Sequence, residues 1–362
     1  MRPTNKVFAN CILMSTYKLK FVLTLVALAF ATKTSPAAAK SFFEYCLAPQ
    51  SEAEETTVTA VMIKMKIWDS RNESNCHAAE NLLKQQTFLN IWPDPFDPAR
   101  GPANDLHPLE EQIHLRNLSI AKNEITDLSP LAKLANLTQL NLSFNPITDI
   151  TTLAGLKRLK EVIAADTQIA DLSPLKPLIA LESLSFSNSK LVDVAPLSGL
   201  PRLKSIYLGS NQIRQADALK GLQLEYLNIE NNQISTLDVA ASKETMTMMD
   251  VHHNQLETIS GLEGLTRVDA INLAQNKFIN IDQLKSLKTL RWLNVSGNEI
   301  HDINQLSGLT NLEHLFIGGN KICHLPESVL ALKNEHLNLK GEWIKLRIDG
   351  ENLQRECHNH ER

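Results

Sequence analysis

Apolar residues return at a fixed interval along most of this chain. One copy of the pattern consists of Leu115, Leu118, Ile120, Asn123, Ile125, Leu128, Leu131 and Leu134. Ten copies follow one another in register, and they begin at Leu115, Leu137, Leu159, Leu181, Leu203, Leu224, Met246, Val268, Leu290 and Leu312. Each full step is 22 residues except the step from the fifth copy to the sixth, which is 21. A constant period of this length predicts a solenoid of stacked coils.

The fourth and sixth positions of each copy are apolar, and the residues on either side of them are mostly polar. This alternation predicts a short strand with one buried face. We expect successive strands to pair as a parallel sheet that lines the concave side of the solenoid. The unit L-x-x-L-x-L-x-x-N-x-I-x-x-L-x-x-L-x-x-L resembles the leucine-rich repeat in its short, 22-residue form.

That form is found in the internalin-like proteins that bacteria export and in eukaryotic regulators of phosphatases. The resemblance covers residues 115–332, about two thirds of the chain. It implies an α/β fold, a leucine-rich-repeat solenoid with a concave parallel β-sheet and a helical, disulfide-bound cap at its N-terminal end. It also implies a bacterial protein whose partner is a surface protein of a host or of another microbe.

A column of side chains occupies the ninth position of every copy. Its members are Asn123, Asn145, Thr167, Ser189, Asn211, Asn232, Asn254, Asn276, Asn298 and Asn320. A buried amide needs hydrogen-bond partners, and the turning backbone of stacked coils supplies them. We therefore interpret this column as structural, and we expect looser but intact coils at Thr167 and Ser189.

A second column, of carboxylates, lies four positions further on, at Asp127, Asp149, Asp171, Asp193 and Asp302. A calcium site or an acid–base site is one interpretation of such a row. The one we favour is that each Asp caps the short turn or helix that starts the convex side, and that Ser-Pro fixes its first residues.

We divide the chain around these repeats into five segments. They are a signal peptide at 1–39, with Met14 as an alternative start, a helical N-terminal cap at 40–92, a degenerate repeat or loop at 93–114, ten repeats at 115–332 and a C-terminal cap at 333–362. In the N-terminal cap we expect helices over 57–67 and 76–89. In the degenerate repeat we expect Pro93, Pro95 and Pro98 to remove the strand, because proline donates no ladder hydrogen bond.

The first segment has the parts of a secretory signal. Lys18 and Lys20 precede a largely apolar run over 21–31, and Ala37 and Ala39 form a small-x-small cleavage site. The apolar run is too short to span a bilayer. We expect an exported chain, periplasmic or secreted, with no membrane span.

Four cysteines follow the signal peptide, and they allow three pairings. Strands about 4.8 Å apart separate the ends of ten repeats by more than about 40 Å, whereas a disulfide requires Cα atoms within about 7 Å. We therefore expect Cys46–Cys76 and Cys323–Cys357, one at each end. A zinc site of Cys357, His358, His360 and His324 lacks the paired C-x-x-C spacing, so we predict no metal and no cofactor.

The candidate binding residues face outward from the concave sheet, where the fold does not require them. The first four repeats place small polar residues there, whereas aromatic and histidine side chains gather from the fifth repeat onward. We predict a partner-binding surface made of Tyr207, Tyr226, Asn228, Met248, Asp250, His252, Asn272, Trp292, Asn294, His314 and Phe316. Aromatic rows on a rigid sheet suit a protein interface. The alternative is that Trp292 and Phe316 pack under the C-terminal cap.

Other functions fit parts of the same pattern. Glu230, Asp250, His252 and His253 lie together on the predicted sheet and suggest an acid–base or metal cluster. An open sheet has no deep pocket, and no nucleophile lies beside the cluster, so we predict that the protein is not an enzyme. We also expect a monomer. Aromatic and amide rows also suit a polysaccharide, and a purely structural envelope protein is a third alternative. The net charge of −4 gives no reason to expect nucleic acid.

Overall fold

A computed structural model of the chain describes residues 40–67, 70–93 and 101–333, together with short strands at 336–337, 343–344 and 347–349. The predicted signal peptide lies outside these residues. No helix among the described residues is long and apolar enough to cross a membrane.

A parallel sheet of twelve short strands runs along the solenoid. Strands β1 to β11 pair in chain order, and β14 pairs with β11. Neighbouring strands pair at equal positions of the repeat, so Asn117 pairs with Gln139 and Trp292 with His314. The strands are β1 Phe88–Asn90, β2 Asn117–Ser119, β3 Gln139–Asn141, β4 Glu161–Ile163, β5 Ser183–Ser185, β6 Ser205–Tyr207, β7 Tyr226–Asn228, β8 Met248–Asp250, β9 Ala270–Asn272, β10 Trp292–Asn294, β11 His314–Phe316, β12 His336–Leu337, β13 Trp343–Ile344 and β14 Arg347–Asp349. The predicted fold class is confirmed.

The asparagine column lies inside the solenoid and holds adjacent coils together. Asn254 Nδ2 donates to the carbonyl oxygens of Ile229 and Val251, at 2.9 and 3.1 Å, and Asn254 Oδ1 accepts from the backbone N–H of Ile234 at 2.9 Å. Ile229 and Ile234 belong to the preceding repeat. The structural interpretation of this column is therefore confirmed.

Two repeats replace this asparagine with a hydroxyl residue. The hydroxyls of Thr167 and Ser189 lie 2.9 Å apart, and Thr167 Oγ1 also donates to the carbonyl oxygen of Ala164 at 2.9 Å. The two hydroxyls thus replace the missing amides with fewer hydrogen bonds. The flanking strands β4 and β5 keep the common register, with Val162 opposite Leu184.

The convex side is built from one short 3₁₀ helix in each of the first nine repeats and in the coil before them. Each Asp of the second column accepts a hydrogen bond from the backbone N–H two residues on, at 2.7–2.9 Å, which confirms its capping role. The helices are His107–Leu109, Ser129–Lys133, Thr151–Gly155, Ser173–Leu175, Ala195–Gly199, Asp217–Leu219, Ala240–Ser242, Leu262–Gly264, Asp282–Ser286 and Asn304–Gly308.

The capping carboxylates make the stability of the fold depend on pH. Hydrogen bonds from the backbone and hydroxyl of Ser129 hold the pKa of Asp127 below its usual value, and those from Ser173 lower the pKa of Asp171. Such a carboxyl stabilises the fold above a pH of about 4 and loses this contribution as the pH falls through its folded pKa. We expect the urea midpoint to decrease as the pH is lowered from about 4 to about 2. In Asp127→Asn we expect the midpoint to decrease less steeply over the same pH range. Equal slopes for parent and variant would contradict this.

The 21-residue repeat is one residue shorter than the others at the turn before β7. A side chain from the next repeat makes the hydrogen bonds that close this shorter turn. In a full repeat this turn is closed by a backbone bond, such as the one from Leu137 N–H to the Leu134 carbonyl at 3.0 Å. In the short repeat, Ser242 Oγ accepts from Leu224 N–H and donates to the Leu222 carbonyl, both at 2.9 Å. The register of β6 and β7 is kept as a result, with Ser205 opposite Tyr226.

We expect Ser242→Ala to lower the free energy of unfolding by about 2 kcal/mol, because two buried backbone groups lose their partner. Ser242 is 1% exposed, so water does not replace the hydroxyl. Urea denaturation followed by circular dichroism measures the loss. The matched control is Ser198→Ala, whose exposed hydroxyl bonds the Ala195 carbonyl at 3.0 Å; equal effects of the two variants would disprove the role of Ser242.

Three helices and one disulfide form the N-terminal end. The helices are α1 Phe42–Leu47, α2 Glu52–Lys64 and α3 Glu73–Leu83, and side chains cap the last two, with Ser51 Oγ accepting from Glu54 N–H and Asn72 Oδ1 from Asn75 N–H. Cys46 of α1 and Cys76 of α3 are bonded, with Cα atoms 5.6 Å apart and both residues fully buried. The predicted pairing is confirmed. The predicted helix over 76–89 is wrong at its C-terminal end, because α3 ends at Leu83.

The first strand of the sheet overlaps the end of the helix that we predicted over 76–89, and it supplies the strand that we expected the degenerate repeat to lack. Residues 88–90 form β1 and pair in parallel with β2, and Leu89 and Ile91 are buried in the core. The prediction that the prolines remove the strand of the degenerate repeat is therefore wrong, since the strand lies upstream of Pro93. The capping Asp105 and the 3₁₀ helix His107–Leu109 complete that coil.

The C-terminal end begins with helix α4, Glu327–Leu330, and continues with strands β12 to β14. β12 pairs with β13 in an antiparallel sheet of their own. Cys323 is disulfide-bonded, whereas its predicted partner Cys357 lies outside the described residues. The same is true of the zinc candidates His358 and His360.

Candidate concave binding surface

Each strand of the repeats buries its middle residue and presents the two residues beside it on the concave face. In β6 to β8, three of these residues are exposed: Tyr207 and Tyr226 by 38% each and Met248 by 49%. Tyr226 pairs directly with Met248, and Tyr207 lies one strand before them. We call these three exposed residues, which lie on three consecutive strands, the tyrosine–methionine patch. The other predicted residues are partly buried on the same face, namely Asn228, Asp250, His252, Asn272, Trp292, Asn294, His314 and Phe316.

Trp292 and Phe316 form an aromatic pair on the next strands. Their ring centroids lie 5.4 Å apart at an interplanar angle of 47°. β14 pairs with β11 and places the backbone of Asp349 opposite Phe316. The sheet therefore continues past Phe316, and both rings remain partly exposed on the concave face.

Asp250, His252 and Asn272 form a polar network between these two aromatic groups. His252 Nδ1 lies 2.6 Å from Asp250 Oδ1, and the backbone N–H of His252 donates to the same oxygen at 3.2 Å. Asn272 Nδ2 donates to Asp250 Oδ2 at 3.2 Å. The ring of His253 meets that of His252 edge-on, with centroids 5.2 Å apart. Both oxygens of Asp250 thus have partners on the protein.

Glu230, the other carboxylate of the predicted acid–base cluster, accepts a hydrogen bond from its own backbone N–H but from no side chain in the described part of the chain. Its carboxylate occupies the space that a Cβ would fill at Gly209, on the preceding repeat. Glu230 Oε2 is shielded from solvent and accepts no hydrogen bond from the described residues. Burial raises the pKa of Glu230, and the nearby charge of Asp250 raises it further. No group of three or more His, Cys, Asp or Glu side chains within the described ranges is arranged to hold a metal ion.

A second set of exposed aromatic residues lies at the N-terminal end and was not predicted from the sequence. Phe88 is 57% exposed, Phe144 50% and Trp92 45%. Lys122 Nζ lies between two of these rings, 5.4 Å from the centroid of Trp92 and 5.7 Å from that of Phe144. A shallow depression of about 180 Å³ beside Phe88 is lined by polar and apolar residues of β2 to β4.

A backbone feature accounts for the exposure of Lys122 and Phe144. Both come directly before a column asparagine, and both have positive φ angles, of 60° and 58°. Every repeat has a positive φ at this position, which glycine fills only at Gly297 and Gly319. The turn points these side chains away from the core. The repeat pattern already marks this position, so its exposure could have been predicted from the sequence.

Sequence comparison defines the class of protein. A family model described as leucine-rich repeats (2 copies) matches residues 113–155, 136–177, 179–221 and 288–329. Together with the stacked fold, these matches show that the chain contains leucine-rich repeats. No curated protein matches the sequence.

Solved structures with the same fold include bacterial and plant proteins. An internalin, InlF, from Listeria monocytogenes is 23% identical, with a TM-score of 0.62 over 83% of this chain and 91% of that one. A leucine-rich-repeat protein of Leptospira interrogans is 22% identical, with a TM-score of 0.60 over 71% of this chain and 72% of its own. The ectodomain of the Arabidopsis thaliana receptor kinase GASSHO1/SCHENGEN3, solved with CASPARIAN STRIP INTEGRITY FACTOR 2, is 20% identical, with a TM-score of 0.54 over 70% of this chain and 35% of its own. The fold is internalin-like.

Proposed function

We propose that this chain is an exported, non-catalytic binding protein that recognises a protein partner through the C-terminal half of its concave sheet. The observation that carries the proposal is the tyrosine–methionine patch, continued two strands later by the Trp292–Phe316 pair. Tyrosine and tryptophan are enriched among the residues that dominate binding energy, because they bury a large area at little entropic cost.

The rigidity of the surface supports the same function. The patch and the pair lie on strands of one parallel sheet, whose buried middle residues Ile206, Leu227, Met249, Leu293 and Leu315 fix the backbone. A partner binding there loses little free energy to ordering of the sheet. The Arabidopsis neighbour, solved with a second protein factor, is compatible with partner binding by this fold.

Two observations support the non-catalytic and exported parts of the proposal. The Asp250–His252 pair lies on an open sheet, and no Ser or Cys side chain is among its hydrogen-bond partners in the described part of the chain. The Cys46–Cys76 disulfide is typical of an oxidising compartment, in agreement with the predicted signal peptide.

A pull-down with the processed full chain from host and bacterial surface extracts tests the proposal. We expect Tyr226→Ser, Trp292→Ser and Phe316→Ser, combined in one variant, to abolish capture of the partner, because loss of three aromatic contacts costs at least about 100-fold in affinity. Circular dichroism first checks that the variant is folded.

The matched control replaces the N-terminal aromatic residues instead, as Phe88→Ser with Phe144→Ser. Their exposed fractions are as large as those of the tyrosines, so a general loss of surface hydrophobicity would affect both variants. Capture lost only in the control would move the site to the N-terminal end. Capture kept by both variants would refute the proposed surface, and capture by none, parent included, would favour a structural envelope protein.

A glycan is the second candidate partner. The column between the aromatic groups carries three amides, Asn228, Asn272 and Asn294, and amides beside an aromatic ring such as Trp292 suit sugar hydroxyls and sugar faces. Binding of the parent to a glycan array, lost in Trp292→Ser, would support this candidate over a protein partner.

A further inference from the structure

At the outward-facing positions of the ten repeats, carboxylates occur without lysine or arginine. At the three outward-facing positions of the ten described repeats, the third, fifth and seventh, the carboxylates are Glu161, Glu230 and Asp250, and no Lys or Arg occurs there. At the second position of the repeat, Lys160, Lys204 and Arg291 are each paired with a carboxylate of the next repeat, as in Lys204–Glu225 at 2.8 Å. Two of the three carboxylates lie in the half that carries the tyrosine–methionine patch.

Among these carboxylates, Glu230 is the one without a side-chain partner in the described part of the chain. Glu161 Oε2 accepts a hydrogen bond from Gln139 Nε2 at 2.8 Å, and Asp250 is engaged by His252 and Asn272. Glu230 Oε2 is shielded from solvent without a donor among the described residues. The carboxylate accepts a hydrogen bond from its own backbone N–H but from no side chain in the described part of the chain. A charge that is partly removed from water with so little compensation costs free energy, and an arriving cation would offset that cost.

The position of Glu230 is fixed by the preceding repeat. Its carboxylate lies over Gly209, in space that any larger side chain would take. Gly209 follows Tyr207 by two residues, so both positions belong to the same face of the sheet. Glu230 lies two residues beyond the end of β7, so at about 3.3 Å per residue Tyr226 is about 13 Å away along the chain. The exposed tyrosine beside the carboxylate in register is therefore Tyr207, two residues before Gly209.

We propose that the partner presents an arginine side chain whose guanidinium pairs with Glu230 beside Tyr207. This inference rests on the proposed function and names the chemistry that the surface recognises. Arginine fits better than lysine, because its planar guanidinium stacks on aromatic rings while its N–H groups bind a carboxylate. The guanidinium is also more weakly hydrated than the lysine ammonium, so its removal from water costs less free energy.

The test selects peptides on the protein without knowledge of the natural partner. A phage-displayed library of random dodecapeptides is panned against the processed full chain, and the enriched pool is then rebound to variants. We expect arginine to be enriched in the pool and Glu230→Gln to weaken rebinding by at least about tenfold, because a charged hydrogen bond is lost. Glutamine keeps the shape of the side chain, so the fold is retained.

Two further variants make the result specific. Glu161→Gln removes a concave carboxylate outside the patch, and we expect it to rebind the pool as the parent does. Gly209→Ala keeps the charge but displaces the carboxylate, and we expect it to weaken rebinding as well. Gly209 has no positive φ, so alanine fits its backbone.

Each other outcome overturns the inference. A pool without arginine enrichment, a failure to enrich any peptide, or equal losses in Glu230→Gln and Glu161→Gln would each count against a guanidinium site at Glu230. The proposed function is judged separately by the pull-down. Capture that depends on the aromatic residues but not on Glu230 would keep the binding surface and discard the arginine.

Discussion

Replacing Asn276 by alanine is expected to lower the free energy of unfolding by about 3–4 kcal/mol. Its Oδ1 accepts from Leu256 N–H at 3.0 Å, and its Nδ2 donates to the carbonyls of Val251 and Leu273 at 3.0 and 3.1 Å. Asn276 is 8% exposed, so its partners lose these bonds away from water. Each buried group left unsatisfied costs about 1–3 kcal/mol. Urea denaturation measures the change.

Two companion variants separate this mechanism from a general effect of losing an amide. Asn304→Ala removes an exposed asparagine from the convex side, and we expect it to lower the free energy of unfolding by less than about 0.5 kcal/mol. Asn276→Thr reproduces what the chain itself does at Thr167, and we expect a loss between those of the other two variants. A loss for Asn276→Ala no larger than that for Asn304→Ala would refute the structural role of the column.

Removing the N-terminal disulfide, as Cys46→Ala with Cys76→Ala, is expected to cost about 3–4 kcal/mol. The bond joins residues 30 apart in the sequence, and closing a loop of that length restricts the unfolded chain by about this amount. We expect helices α1 to α3 to lose the most local stability. In a solenoid each coil contacts only its neighbours, so hydrogen exchange should accelerate in these helices more than in β10.

Reduction of the parent chain provides the control for this variant. Both sulfur-bearing residues are fully buried, so a thiol reductant should act slowly on the folded protein and quickly in urea. Because Cys323 is disulfide-bonded as well, the reduced parent should match the double variant in its urea midpoint when both are measured in the reductant. A double variant as stable as the oxidised parent would show that the helices hold the N-terminal end without the bond.

The sequence predicted the solenoid in detail because the period encodes its register. Leucines at the fourth position became the middle residues of the strands, and Asn254 and its equivalents became the links between coils. The N-terminal coil was predicted less well, since its strand β1 lies outside the 22-residue spacing: Phe88 pairs with Asn117, 29 residues later. We searched for the strand of this coil after Pro93, whereas the buried strand residues Leu89 and Ile91 lie before it.

The candidate surface was predictable in part. Outward positions follow from the alternation of a strand, so the exposure of Tyr207, Tyr226 and Met248 was accessible from the sequence. The bonding of Asp250 to His252 and the isolation of Glu230 depend on side-chain positions that a period does not give. Phe144 was missed because it follows the strand, at the position where φ becomes positive.

The short fifth repeat has an implication for how such a chain changes over generations. A single-residue deletion there left the strand register intact, because Ser242 closed the altered turn from the neighbouring coil. Gains and losses of residues outside the strands can thus accumulate without displacing Tyr207 relative to Tyr226. The recognition face and the outer loops are free to evolve as separate modules, one through substitutions and the other through changes in length.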